Sequence, residues 1–267
     1  MPNVLDSALI LRRFAYGESS LVLHVLTREH GRVHLIAKGA YRPTSRYYAA
    51  LDLFDTLELG WQYTAGRELQ VLREATISVR RHTLALDLER YAAALTVLEL
   101  AALGAPENAS AHELFDDTSR ALDALRTARS ASLTLIEFEL RLLHNLGLAP
   151  ALLRCAACGG AAPPLEREDD GDERAAFSAG AGGRFCSSCA AEARAAGRRV
   201  GTLPTRVLAL AHACEAGARG VAAPEYDALE LEHARDAVAR FLEYHLEGRP
   251  VSYRQFLAVP NRNRPSA

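Results

Sequence analysis

Two short cysteine pairs constrain this chain more than any other feature. Cys155-Ala156-Ala157-Cys158 and Cys186-Ser187-Ser188-Cys189 are separated by 27 residues (159–185) in a chain of 267. Each pair sets two thiols on one tight turn, and two such turns complete a tetrahedron of four thiolates, the donor set that suits zinc. Four thiolates leave no open position, so the expected Zn2+, one per chain, is structural. An iron–sulfur cluster also takes four cysteines and stands as the alternative. A redox CxxC usually occurs once, at a helix start in a βαβ setting, which this context lacks. Disulfides are not expected either. The start, Met1-Pro2-Asn3-Val4-Leu5-Asp6, has neither the basic nor the apolar region of a secretory signal, so a cytoplasmic setting is the default. The glycines Gly159 and Gly160 permit the turn after the first pair. The spacer exceeds the ~15–20 residues usual between such pairs. Its acidic run Glu166–Glu173 reads as a solvated loop, and Cys214, alone in a helical stretch, reads as a small core residue.

Before the cysteines the periodicity changes once. Runs at 7–11, 20–26, 32–37, 53–59 and 68–72 are short, β-branched or alternating, and punctuated by Gly17, Gly31, Gly39, Gly60 and Gly66. Glu29-His30-Gly31-Arg32 reads as a hairpin turn. Five strands in so short a span are expected to close into a barrel, because closure removes exposed edges. From residue 82 the apolar residues recur at three and four: Leu84, Leu88, Tyr91, Leu95, Leu98 and Ala102 mark a helix over 82–104. Further helices are expected at 111–128, 130–147, 204–217 and 227–247, and the polar tail beyond Pro260 is expected to fray. The expected organisation is a barrel domain at 1–80, a helical domain at 81–153 and 191–250, a four-cysteine segment at 154–190 within it, and a tail at 251–267. Charged residues make up 24% of the chain, an ordinary globular proportion. No apolar run approaches the ~18 residues a spanning helix needs.

The net charge of −2 is unevenly spread. Residues 1–48 hold Arg12, Arg13, Arg28, Arg32, Lys38, Arg42 and Arg46 against Asp6, Glu18 and Glu29, a net +4. In Lys38–Tyr48 bases recur every four residues among Tyr41, Tyr47 and Tyr48, and Gly39 and Pro43 keep the segment out of helix. Cations that neutralise phosphates and rings that stack on bases are the usual means of holding single strands. A second arrangement, with tyrosines in the barrel core and bases in water, fits the same pattern. Arg194, Arg198 and Arg199 form another basic patch after the second cysteine pair.

No catalytic constellation is evident. The chain lacks a phosphate-cradling GxxxxGK[ST], a G-x-S-x-G elbow and an HExxH. His30 and His34 read as ordinary barrel residues, and Asp52 and Asp55 as exposed strand positions.

Several stretches taken together resemble the RecO family of bacterial recombination mediators. They are Leu9-Ile10-Leu11-Arg12-Arg13, Tyr16-Gly17-Glu18-Ser19-Ser20, Leu26–Gly31, Ala37-Lys38-Gly39-Ala40 with Arg46, Leu72-Arg73-Glu74-Ala75, Phe138–Leu143 with Leu146-Gly147, and Cys155–Gly159. They occur in order over nearly the whole chain. The resemblance implies an α+β protein: an N-terminal five-stranded OB-fold, then a mainly α-helical domain carrying a four-cysteine zinc finger. It implies a non-enzymatic role in DNA repair and homologous recombination (the RecF pathway), in association with the nucleoid. Such proteins bind single- and double-stranded DNA and anneal complementary strands. With RecR they promote RecA loading on DNA coated by single-strand-binding protein, whose acidic C-terminal tail is a further expected ligand, near Arg120, Arg126 and Arg129. Lys38, Arg42 and Arg46 match the family's basic barrel segment. Arg12, Arg13 and Arg32, with Tyr47 and Tyr48, are expected beside it, and Arg198 and Arg199 are expected to extend the DNA track. A zinc-stabilised scaffold that binds protein and never touches DNA is the alternative, and an enzyme with an unrecognised site a third.

Overall fold

A computed structural model describes residues 3–45, 47, 50–165, 173–217, 225–246 and 250–256. The acidic run up to residue 172, the polar tail after Pro260, Arg46 and Tyr48 lie outside the described residues. The chain forms two compact units: Met1–Ala131 with Pro250–Ser252, and Ser132–Arg249 with Tyr253–Ala267.

The first unit contains β1 (Asn3–Tyr16), β2 (Ser20–Thr27), β3 (Gly31–Ala37), β4 (Thr56–Gln62) and β5 (Leu69–Val79). They close into a barrel in the order β1-β2-β3-β5-β4, with β1 returning to β4. Only β3 and β5 run parallel. This is the five-stranded OB-type barrel. Two-residue alternation builds it: Val33, Leu35 and Ala37 point inward from β3, while Arg32, His34 and Ile36 point outward. Leu23, Val25, Leu57, Leu59 and Trp61 fill the interior from neighbouring strands. The β2–β3 hairpin turns at residues 28–30, where the Thr27 hydroxyl accepts the His30 N–H at 3.2 Å and the Asp6 carboxylate accepts the Glu29 N–H at 3.0 Å. Gly31 then has φ +64°, and a Cβ there would lie 2.3 Å from the Ala109 carbonyl oxygen.

β1 is longer than the pattern at 7–11 indicates, and it carries a bulge. Its register passes from Ile10 opposite Val25 to Arg12 opposite His24, so Leu11 is an extra residue. An extra residue reverses which side chains face out. Ile10 faces the core, but beyond the bulge Arg12, Phe14 and Tyr16 stand on the outer side with His24.

The helix expected over 82–104 is interrupted. Residues His82–Leu86 make a 3₁₀ turn, and α1 spans Leu88–Gly104. The break falls at Asp87, whose extended backbone lets its carboxylate cap α1 by accepting the Arg90 N–H at 2.9 Å. α2 spans His112–Leu125. The expectation that Asp55 is exposed is wrong: it is 3% exposed, and its carboxylate accepts the Arg81 N–H at 2.6 Å. Arg81 itself is fully buried. Its guanidinium forks onto Asp123 of α2 at 2.8 Å twice, and also donates to the Phe54 carbonyl, Thr56 Oγ1 and Ser119 Oγ. In the same unit Ser252 donates to Glu99 of α1 at 2.9 Å and accepts from Thr96 at 2.7 Å.

The second unit holds most of α3 (Ala131–Asn145), then β6 (Arg174–Ser178), β7 (Gly183–Phe185), α4 (Ser187–Ala195), β8 (Gly201–Pro204), α5 (Thr205–Gly217) and α6 (Ala228–His245). The last described helix is α7 (Val251–Phe256). The three strands form one sheet in the order β7-β6-β8. α6 begins with a capping box between Asp227 and Glu230. Buried within this unit, the Tyr253 hydroxyl donates to Glu139, and burial pushes the Glu139 carboxyl up to about 8 despite that bond and the nearby Arg235 charge. No helix among the described residues is long and apolar enough to cross a membrane.

Candidate metal centre and nucleic-acid interface

The metal centre is built from two backbone turns. In the first, Cys155 donates its N–H to the Gly160 carbonyl at 3.0 Å and accepts the Gly159 N–H at 2.8 Å, with Gly159 at φ +70°. In the second, Cys186 is the N-cap of α4 and Cys189 lies in the first turn of that helix. The Ala156 N–H reaches the Arg184 carbonyl at 2.7 Å, which ties the first turn to the strand leading into the second. The four Sγ atoms all lie within 4.8 Å of one another. A tetrahedron with metal–sulfur bonds of ~2.3 Å has edges of ~3.8 Å, so this cluster is the size of a single-ion site. Burial opposes ionisation of Cys155, yet the backbone N–H groups of Cys186, Cys158 and Ala157 outweigh it and bring the thiol down to about 6. Cys189, through its thiol hydrogen bond with Cys186, is pushed up to about 12. Cys214 is elsewhere, buried in α5, where burial pushes its thiol up to about 12.

The core beneath this centre is poor. Its buried residues are Cys155, Ala162, Ala176, Phe185, Ala190 and Ala193, with Leu165 and Val200 partly buried against them. Four alanines and one ring bury little apolar surface, and small modules with such cores are usually held by metal. Gly183 shows how close the backbones come: at φ +137°, a Cβ there would sit 2.4 Å from the Ala151 carbonyl oxygen.

The basic residues of the barrel divide into distinct groups. Arg12, Lys38 and Arg42 are exposed and have no ion-pair partner among the described residues. The Tyr41 N–H donates to the Ser19 carbonyl at 3.0 Å, which ties the Lys38–Arg42 turn to the β1–β2 turn. Arg13 is bound to Asp52 at 3.1 Å and to the Leu51 carbonyl. Arg32 is bound to Glu107 at 2.5 Å and to the Ala102 carbonyl at 3.0 Å. Arg28, half-buried at the hairpin turn, forks onto Asp116 at 3.1 and 3.0 Å. Tyr47 corrects an expectation. It is 6% exposed, packs in the barrel core and donates its hydroxyl to the Arg73 carbonyl at 3.0 Å. A ring so placed has no open face for a base. The exposed rings of the barrel unit are instead Phe14, Tyr16, Tyr41 and Tyr63, of which only Tyr41 was singled out by its spacing. Beyond the bulge at Leu11 the whole end of β1, Arg12–Tyr16, is exposed, and the shifted register sets Phe14 on the side of His24.

His24 and His34 were not grouped by the sequence. They are opposite one another on β2 and β3, with ring centroids 4.0 Å apart and planes 28° from parallel. Phe14 meets His24 edge-on at 5.2 Å. His34, Arg32 and His30 continue into a cavity of about 650 Å³ walled by Trp61, Tyr63 and Arg67. In the second unit Arg198 and Arg199 are exposed just past α4, where the Arg198 N–H closes the helix onto the Ala193 carbonyl at 2.9 Å. Arg120 and Arg126 pair with Asp117 and Asp123 on their own helix.

Comparison with known proteins covers both parts of the chain. The family described as Recombination protein O N terminal matches residues 1–79, and Recombination protein O C terminal matches residues 85–254. The DNA repair protein RecO of Anaeromyxobacter dehalogenans (strain 2CP-C) is 34% identical over 258 residues, 96% of either chain. That of Myxococcus xanthus (strain DK1622) is 31% identical over 253 residues, 95% of this chain and 96% of its own. The RecO of Exiguobacterium sp. (strain ATCC BAA-1283 / AT1b) is 31% identical over 181 residues, 68% of either chain.

Proposed function

We propose, from the premise that the chain belongs to the RecO family of DNA repair proteins, that it is a non-enzymatic mediator that binds single- and double-stranded DNA and anneals complementary strands. In this reading it acts with RecR to promote RecA loading on DNA coated by single-strand-binding protein, and it takes the acidic C-terminal tail of that protein as a ligand. Its setting is the cytoplasm, beside the nucleoid. The observation that carries the reading is the outer side of the barrel, where Arg12, Lys38 and Arg42 have no carboxylate partner among the described residues and lie beside exposed Phe14, Tyr16 and Tyr41. Free cations exchange condensed counterions for phosphates, and open rings accept unstacked bases. Annealing needs only that phosphate repulsion be lowered while bases remain displayed.

Arg13 and Arg32 sit on the same module and serve as secondary contacts, since each already has a carboxylate partner. Arg46 and Tyr48 belong to the track through their place in the basic segment. Arg198 and Arg199 offer DNA a further contact on the second unit. The metal is a single structural Zn2+, held by Cys155, Cys158, Cys186 and Cys189. When bound it supplies a cross-link between the two turns and no reaction chemistry. In a strand-annealing assay with complementary oligonucleotides, Lys38→Glu/Arg42→Glu loses most of its annealing rate while its melting curve stays as in the parent. A folded double variant that anneals at the parent rate would show that the track lies elsewhere.

A further inference from the structure

The outer face of the barrel carries a transverse row that basic-residue counting overlooks. Arg12, His24 and His34 are direct cross-strand neighbours on β1, β2 and β3. Residues directly opposite in a sheet project from the same side, so the three side chains form one line across the strands. The bulge at Leu11 puts Arg12 in this line. Arg32 lies two residues before His34 on β3, and so on the same side.

The two imidazoles lie face against face. Their faces cover each other, and Phe14 closes on His24 from the side. Stacked rings of this kind offer their edges, and an imidazole edge carries nitrogens that donate or accept hydrogen bonds. The row is thus suited to an oxyanion at its edge more than to a base on its face. Arg12 adds positive charge on one side and Arg32 on the other, the latter already paired with Glu107 at 2.5 Å. Two carboxylates lie near the row: Glu107, bound to Arg32, and Glu68, from the β4–β5 loop, whose oxygen is 3.7 Å from His34 Nδ1 while its own side chain is 89% exposed. A third metal-type ligand is missing: among the described residues only the four cysteines form a cluster of metal-binding size.

We infer that Arg12, His24 and His34 form a proton-linked phosphate site, in which a nucleic-acid strand crossing β1, β2 and β3 sets one phosphate against the imidazole edges and the row takes up a proton from solvent as the strand binds. The inference rests on the DNA-binding reading above and deepens it. Its electrostatics are consistent. Burial holds His24 below its ordinary value of 6.5, and the charges of His34, Arg12 and Arg32 act in the same direction, with Glu68 opposing. In the free protein His24 is therefore neutral at neutral pH. A phosphate offsets the neighbouring positive charges and favours the imidazolium, which then donates to it. The proton that is added comes from solvent and goes to His24. Affinity must accordingly rise as pH falls, by about tenfold in total for each unit by which the bound-state value exceeds the free one.

The test uses the full chain and a labelled oligothymidylate, whose bases do not titrate in the range used. Proton uptake is read by calorimetry in two buffers of different ionisation enthalpy near pH 7, and affinity by fluorescence anisotropy between roughly pH 8 and 6. The parent takes up between about half a proton and one proton and binds several-fold tighter at the lower pH. His24→Gln/His34→Gln takes up none, and its affinity ratio between the two pH values falls to near one. The uptake measurement on the parent stands alone if the variant fails to fold. Binding without proton uptake, or a folded variant with the parent's pH ratio, overturns this inference and leaves the DNA reading intact. Absence of strand binding at either pH overturns both.

Discussion

Replacing Arg81 with methionine is expected to destabilise the first unit by about 3 kcal/mol. The guanidinium is fully buried, and it satisfies Asp123, the Phe54 carbonyl, Thr56 Oγ1 and Ser119 Oγ at 2.8–2.9 Å. Breaking a wholly buried ion pair costs ~3–5 kcal/mol. Here the Asp123 side chain is 44% exposed and regains water, which lowers that figure. Phe54 and Thr56 are buried and are left short of a donor, at roughly 1–3 kcal/mol per group. Methionine replaces most of the lost apolar stem, so packing contributes little. At ~2–4 °C per kcal/mol, the melting point should fall by about 6–12 °C. Urea titration and thermal melting, followed by far-ultraviolet circular dichroism, measure both quantities. Arg81→Lys keeps the charge but not the fork and should fall between the two. A loss below about 1 kcal/mol for the methionine variant would refute the reasoning, because the buried carbonyl and hydroxyl would then have found other partners.

The remaining expectations concern pH, metal and backbone. The Glu139 carboxyl is raised by burial, so the folded state holds a proton that the unfolded state has lost; this contribution is complete below 4.5 and stability declines as pH rises from there to about 8. Glu139→Gln should remove that decline and be more stable near pH 8 by on the order of 3 kcal/mol in urea titrations. Asp123 has the opposite sign: the bond from Arg81 holds it below its ordinary 3.8, so its contribution is present above that value and fades as pH falls beneath it. Stripping the metal, or Cys155→Ser, should abolish amide-exchange protection in the β6–β7–β8 module, with elemental analysis showing about one zinc per parent chain and none in the variant. Gly183→Ala should disturb the same module without touching a ligand, since its Cβ would strike the Ala151 carbonyl at 2.4 Å, and the readout is weaker zinc retention under chelator.

Much of the fold follows from local periodicity. The two-residue alternation from β2 to β4 and the three-four spacing of α1 to α3 are direct records of which side is buried. Where local rules competed, the sequence was less legible. Asp87 could extend a helix or cap one, and the cap prevails because its carboxylate reaches the Arg90 N–H. Leu11 carries no mark of a bulge, because a buried leucine suits a strand equally well in either register. The consequence is that Arg12, rather than Leu11, stands opposite His24. The β strands around the cysteines were hidden among alanines, which favour helix on their own. The cysteines were fully legible, because two CxxC turns have few uses and their four sulfurs converge. The basic face was legible only in part. Charge counting cannot tell Arg12, which has no ion-pair partner among the described residues, from Arg13 and Arg32, whose partners Asp52 and Glu107 lie 39 and 75 residues further on. Nor can it tell Tyr41 at the surface from Tyr47 in the core.

The central claim is that the outer side of this barrel holds nucleic-acid strands through cations free of carboxylate partners. The salt dependence of single-strand affinity tests it most directly, measured by fluorescence anisotropy on the full chain and on Lys38→Glu/Arg42→Glu. Each phosphate contact contributes about −0.7 to the slope of log affinity against log salt. The parent is predicted to show a steep negative slope, and the folded variant to bind more weakly with a slope shallower by about 1.4, the share of two lost contacts. A parent whose affinity is indifferent to salt, or a folded variant with the parent's slope, would contradict the claim.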